Sequence, residues 1–260
     1  MFRTIVHSLH PTVFYLVVSI IYISFALVTY FIATKVLDVK RGRSDHLDEV
    51  ASISLGTING AYSIILGFIL FLVWGNFQTA MQIAVDEGSK LSIIWESSRA
   101  LPPAAAQKIQ NIVEQYANEV TELEWPAMAV GEDSPQVTKT LGDMYVLLQS
   151  FSPETVVAQT FYRNMASALN GVVEKRNHRL SMLESSIPTA WYLFVFVVAC
   201  VIILLNSLIL RRSLLQLYTH ILLVLVISFF ITAIVALSYP FSGYISVNKK
   251  ELTYSFIPKK

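Results

Sequence analysis

The sequence predicts an all-α integral membrane protein with four transmembrane helices and a helical extramembrane domain between spans two and three. Three observations carry that prediction. Of 260 residues, 54% are hydrophobic and only 14% are charged, a balance too apolar for a soluble domain. Four runs of about twenty residues hold the excess, and at about 1.5 Å per residue each can cross a ~30 Å hydrocarbon core. No alternating strand pattern of any length appears elsewhere.

Residues 1–34 form a short lead and the first span. In the lead, Arg3, His7 and His10 suit interfacial anchoring, because two histidines three apart lack a third metal ligand. The uncharged run Val13–Ala33 exceeds a signal-peptide core, and no small-residue cleavage site follows it, so it is read as retained. The connector 35–54 mixes Lys35, Lys40, Arg41 and Arg43 with Asp38, Asp45, Asp48 and Glu49, and reads as solvated.

The second span, 55–76, is the most patterned stretch of the chain. Gly56, Gly60, Ser63 and Gly67 recur at spacings of four, three and four, which stacks them in one helical stripe. Small residues at that spacing let membrane helices approach until their backbones touch, so the stripe is a packing face and a route to self-association. A neighbouring face holds Asn59, Leu66, Leu70 and Val73, the candidate lining of a pore. Asn59, Asn206 and His220 are polar groups inside spans and need partners or water. Asn206 and His220 lie near span ends and read as headgroup anchors.

Residues 77–188 form the helical domain. From Phe77 to Ala100 no proline interrupts the helix, and Ile83, Ala84, Leu91 and Ile94 give an apolar stripe. The rod therefore continues out of the span until Pro102-Pro103 breaks it. Pro103 suits the first turn of a new helix carrying Ile109, Ile112, Val113, Tyr116, Val120 and Leu123, which should end near Glu124-Trp125-Pro126. Ser134-Pro135 and Ser152-Pro153-Glu154 each place a capping hydroxyl before a proline, predicting helices over about 136–150 and 153–185. The third span covers 189–210, a short connector 211–216, the fourth span 217–240, and a tail 241–260.

Little here points to catalysis. There is no P-loop, GxGxxG, HExxH or nucleophile elbow, so no catalytic residue, cofactor or metal set is assigned and the chain is not read as an enzyme. Glu174 and His178 fit a salt-bridged helix face better than a metal pair. Phe77–Pro188 carries eight Lys/Arg against thirteen Asp/Glu, which argues against nucleic acid. Asp86 and Glu87 would form a charged ring at a pore mouth if several copies surrounded an axis, although surface solubility explains them too.

Three sequence motifs carry a resemblance. They are Glu124-Trp125-Pro126-Ala127-Met128, the run Arg176, Arg179, Leu180 followed by Pro188 and Trp191, and Pro240-Phe241-Ser242-Gly243. Together they resemble the bestrophin-like family of bacterial four-span membrane proteins of unknown function, over roughly residues 45–245. One departure is Ser238, where that family shows an aspartate. The family name implies kinship with bestrophins, pentameric anion channels lined by their second span. Carried over to this chain, that kinship implies a neck of Leu66, Leu70 and Trp74, and a multi-pass protein of the bacterial inner membrane.

The function expected is thus a homo-oligomeric ion channel with the lipid bilayer and small ions as partners. The alternative is a non-conducting sensor or assembly factor whose helical domain binds a partner. Lys35, Lys40, Arg41, Arg43, Arg211 and Arg212 in the short connectors place those connectors in the cytoplasm and the helical domain outside. Bestrophins have the reverse arrangement, which Lys175, Arg176, Arg179, Lys249 and Lys250 would fit.

Overall fold

The structure, a computed structural model, describes residues 2–38, 45–209 and 214–256. The connector residues Lys40, Arg41, Arg43, Arg211 and Arg212 lie outside the described residues. In chain order the helices are α1 (Phe2–Ser8), α2 (Pro11–Asp38), α3 (Asp45–Ser98), α4 (Pro103–Glu119) and α5 (Trp125–Val130). They continue with α6 (Pro135–Gln149), α7 (Val156–Ser181), α8 (Thr189–Ile209), α9 (Leu214–Leu237) and α10 (Lys250–Ser255). No strand occurs among the described residues. Among the described residues four helices are long and apolar enough to cross a membrane, over Pro11–Lys35, Ser52–Ser98, Thr189–Leu208 and Leu214–Leu237.

The chain divides into two compact units. The first comprises Met1–Gly75 and Ser186–Ser238, the second Asn76–Ser185 and Tyr239–Lys260. In the first, α2 packs along both α8 and α9. Its interior is made of small and branched residues such as Ala26, Ala199, Ile202, Ile203, Val224 and Ile231. Close packing has to hold these helices together, because lipid tails are as apolar as the side chains they would replace. The α3 segment joins through Tyr62, whose hydroxyl donates to the Val195 carbonyl at 2.8 Å.

In the second unit the larger apolar core gathers Leu91 and Ile94 from α3, Ile109, Val113 and Tyr116 from α4, Val137 and Met144 from α6, and Met165 and Leu169 from α7. The stripe predicted on the α3 extension, Ile83, Ala84, Leu91 and Ile94, is buried throughout. α10 also belongs to this unit, although the tail 241–260 showed no helix signal. Leu252 and Phe256 join the core, and the Ser92 hydroxyl donates to the Ser255 carbonyl at 2.7 Å. Gly88 is required there, because a Cβ would collide with the Leu252 carbonyl oxygen.

Three helix boundaries differ from the sequence reading, each for a local reason. α3 begins at Asp45, inside the stretch read as a solvated connector. The helix expected to end near Glu124-Trp125-Pro126 instead passes through a π-helical turn, Val120–Glu124, and continues as α5. Pro126 cannot donate a backbone hydrogen bond, and the wider turn, closed by Trp125 N–H to the Val120 carbonyl, carries the chain past it. The extra residue per turn rotates Leu123 outward and Glu124 inward. Finally, α7 starts at Val156 rather than 153, because Thr155 supplies the cap, its hydroxyl oxygen accepting from the Ala158 N–H at 3.1 Å. Ser134 occupies the cap position of α6, but its hydroxyl makes no capping bond.

Candidate functional site

The motifs at 124–126, 176–180 and 240–243, far apart in the chain, converge in the second unit. The π-turn aims Glu124 at α7, where Arg176 and Arg179 sit three apart on one face. Arg176 Nε donates to Glu124 Oε1 at 3.1 Å and Oε2 at 3.2 Å, while its Nη2 reaches the Thr138 hydroxyl at 2.9 Å. Arg179 Nη2 donates to Glu124 Oε2 at 2.8 Å. On its other side Arg179 forks onto Glu87 of α3, Nε to Oε2 at 2.7 Å and Nη2 to Oε1 at 3.0 Å. Tyr116 of α4 completes the shell by donating to Glu87 Oε1 at 2.9 Å.

Two carboxylates and two guanidiniums are thus buried together with no net charge. Arg179 also points Nη1 at the Met128 sulfur and lies 5.4 Å from the centre of the Trp125 ring. Trp125 in turn packs edge-on against Phe241 and donates Nε1–H to the Val247 carbonyl at 3.1 Å. The turn after Pro240 is closed by Val247 N–H to the Pro240 carbonyl at 2.7 Å, with Gly243 at φ 80°, a left-handed conformation that suits glycine.

Electrostatics follow from the geometry. Burial pushes the Glu124 carboxyl up, but the hydrogen bonds and charges of Arg176 and Arg179 outweigh it and hold Glu124 below the usual carboxylate range. Burial likewise opposes the charge of Arg179, and Glu87 and Glu124 more than offset that and keep it firmly ionised. The Tyr116 hydroxyl is pushed well above its ordinary value by burial and by Glu87 beside it. These groups stay in one protonation state near neutral pH, so the arrangement holds structure together and is poorly suited to moving protons.

The pore-mouth reading needs correction at Glu87. A ring around a pore requires a solvent-facing carboxylate, and Glu87 is fully enclosed. Asp86 is partly exposed and pairs with Lys175 at 2.9 Å. Thr138 was not singled out, and Tyr116 and Met128 were read as a stripe residue and a motif member rather than as partners of these charges, since neither spacing nor composition marks a buried partner.

In the first unit, α3 presents three faces at about 100° per residue. Leu66 and Val73, read as pore-lining, are only 2% and 0% exposed and are enclosed by their own chain along with Leu55, Tyr62 and Ile69. Leu70 is half-buried. The stripe of Gly56, Gly60 and Gly67 is uncovered, with no atom within 4 Å of where a Cβ would stand, and Ser63 and Trp74 are exposed on the same flank. A third flank bears Ile64, Phe68 and Phe71, exposed by 68%, 68% and 71%. Beside it runs an apolar groove of about 540 Å³ between α3 and α8, walled by Ile65, Ile69, Trp191 and Phe194.

Asn59 pairs with Asn206, each amide nitrogen donating to the other's oxygen at 3.3–3.4 Å. His220 is buried and bonded to Ser207 at 3.1 Å, which removes it from the role of headgroup anchor. Ser238, the departure from the family pattern, is buried and donates to the Ile234 carbonyl at 2.6 Å.

The model of the bestrophin-like domain family matches residues 10–252. The chain belongs to the bestrophin-like family. The crystal structure of a point mutant of a bacterial bestrophin homolog from Klebsiella pneumoniae superposes with a TM-score of 0.72 over 93% of this chain and 97% of that one. At 10% identity this is a likeness of fold. No curated protein matches the sequence. This bestrophin-like chain is therefore an all-helical, multi-pass membrane protein with four spanning helices.

Proposed function

We propose that the protein is a homo-oligomeric ion channel in which α3 surrounds the pore. The observation that carries this reading is the uncovered surface of α3, with a bare glycine flank on one side and an apolar groove on the other. In a ring of copies the glycine flank of one chain meets the groove flank of the next, a head-to-tail contact that closes by rotation. Ile64, Phe68 and Phe71 then face the axis, and bulky apolar rings gate by dewetting. They replace Leu66 and Val73, since a side chain sealed inside one chain lines no path between chains. The bestrophin-like family membership supports the same reading. Mass measurement in lipid, with ion flux from proteoliposomes, tests it: a defined oligomer is expected, and Phe68→Ala should raise the flux. A monomer, or an oligomer with no flux in either form, would contradict it.

We further propose that the protein sits in the bacterial inner membrane with the helical domain extracytoplasmic. Arg176 and Arg179, which favoured the reverse, are locked in ion pairs, and the two short connectors carry six Lys and Arg in the sequence. Alkaline phosphatase fused after Lys260 should be active in cells, and an active cytoplasmic reporter at that position would reverse the orientation.

A further inference from the structure

The second unit holds a smaller apolar cluster apart from its larger core. It joins Phe77 and Ala80 of α3, Met128 of α5, Leu183 in the turn after α7, and Phe241 and Val247 after α9. Three of those stretches are where the chain passes to or from a span. Phe77 directly follows the second span as the sequence delimits it, Leu183 precedes Thr189 by six residues, and Phe241 follows Leu237 by four. At about 3.5 Å per residue, chain length alone keeps them within about 4, 21 and 14 Å of those span ends. Met128 packs among them, so α5 lies at the end of this unit from which the chain enters the membrane.

The outer side of α5 is free of charge. From Leu123 to Gly131 the one ionisable residue is Glu124, which the π-turn sends inward to Arg176 and Arg179. Leu123, Pro126 and Val130 are left outside, with Ala127 half-buried between them. The segment after α9 runs antiparallel alongside, tied at three points. Ser242 Oγ donates to the Ala129 carbonyl at 2.7 Å, Trp125 Nε1–H donates to the Val247 carbonyl at 3.1 Å, and Lys249 Nζ pairs with Glu122 at 2.8 Å. That register sets Tyr244 and Ile245 beside α5, in a stretch with no charged residue from Tyr239 to Asn248. Leu123, Val130, Tyr244 and Ile245 are each between 41% and 65% exposed. Charges return only at the two ends, Glu122 with Lys249 at one and Glu132 with Asp133 at the other.

Single exposed apolar residues are ordinary on a protein surface, but an uncharged strip drawn from two segments marks an interaction site. The headgroup layer of a bilayer takes up aliphatic side chains together with the amphipathic ring of a tyrosine. Chain length keeps that layer within reach of the strip, and flanking charges of both signs select no headgroup charge. We propose that this strip rests in the headgroup layer of the bilayer that the spans cross, as a monotopic contact. The π-turn makes the contact apolar, because it buries the one carboxylate of α5 and its approach. The unit's core is complete without this contact, and the contact stands whether or not the protein conducts.

The test uses the full chain in phosphatidylcholine nanodiscs, with Cys200→Ser and one nitroxide label at a time. The label is attached through Val130→Cys, Tyr244→Cys or, as the control, Val146→Cys, which is exposed on α6 of the same unit and outside the strip. Power saturation of the spin signal compares collisions with oxygen, which partitions into lipid, and with a nickel chelate, which stays in water. A severalfold higher oxygen-to-nickel ratio is expected at 130 and at 244 than at 146. Nickel access at either site equal to that at 146 overturns the proposal. Low access to both reagents overturns it as well, and spin–spin broadening that fades on dilution with unlabelled chain would then assign the strip to a second copy.

Discussion

The two units of this chain settle their polar groups in opposite ways. The second unit buries four ionised side chains, Glu87, Glu124, Arg176 and Arg179, and satisfies them with one another, Tyr116 and Thr138. Its core is finished within one chain. The first unit joins its helices through neutral contacts such as Asn59 with Asn206 and Thr29 with Ser207. It leaves Ile64, Phe68 and Phe71 uncovered and the glycine flank bare. One region is closed on itself, and the other is built to be completed by lipid or by further copies of the chain.

That contrast can be broken at its strongest point first. Arg179→Ala leaves the Glu87 carboxylate with Tyr116 but no cation and takes from Glu124 one of its two guanidinium partners, and breaking a buried pair costs about 3–5 kcal/mol. Thermal unfolding should show that loss in the second unit. A loss below about 1 kcal/mol would mean that the network contributes little. The same network sets a pH dependence. Glu124 is held below the ordinary glutamate value of about 4.3, so its stabilisation is present above that value and disappears as pH falls through the lowered one. Glu124→Gln should flatten that acid limb, and an unchanged limb would assign it to other carboxylates. The smallest effect separates two caps. Thr155→Ala should cost about 1 kcal/mol, because its hydroxyl oxygen accepts from Ala158 N–H, whereas Ser134→Ala should stay within about 0.5 kcal/mol. Equal costs at both sites would undo the distinction.

The same division explains what could be read without coordinates. The spans were legible because bilayer thickness fixes their length and hydropathy, and Pro102-Pro103 marked the end of α3 for a local covalent reason. The apolar stripes of α3 and α4 were legible because helical period places their residues on one face, apart from Leu123. That exception shows the limit. A π-turn leaves no signature in Val120–Glu124, yet it shifts the register by one residue and turns Glu124 from an exposed acid into a buried partner. Motifs at 124, 176 and 240 could be recognised as a set, but their convergence on Arg179 and Trp125 is a long-range fact that spacing does not encode. For the same reason Glu87 looked like a surface charge, and Leu66 and Val73 like a free face. Periodicity groups residues on a helix without saying which side its own chain covers.

Disulfide cross-linking along α3 in native membranes tests the central claim most directly. In a Cys200→Ser background, single cysteines at Ile64, Phe68 and Val73 would be oxidised and resolved by mass. The account predicts covalent multimers from the axis-facing Ile64→Cys and Phe68→Cys and none from Val73→Cys. Cross-links from Val73→Cys alone, or from none of the three, would contradict it.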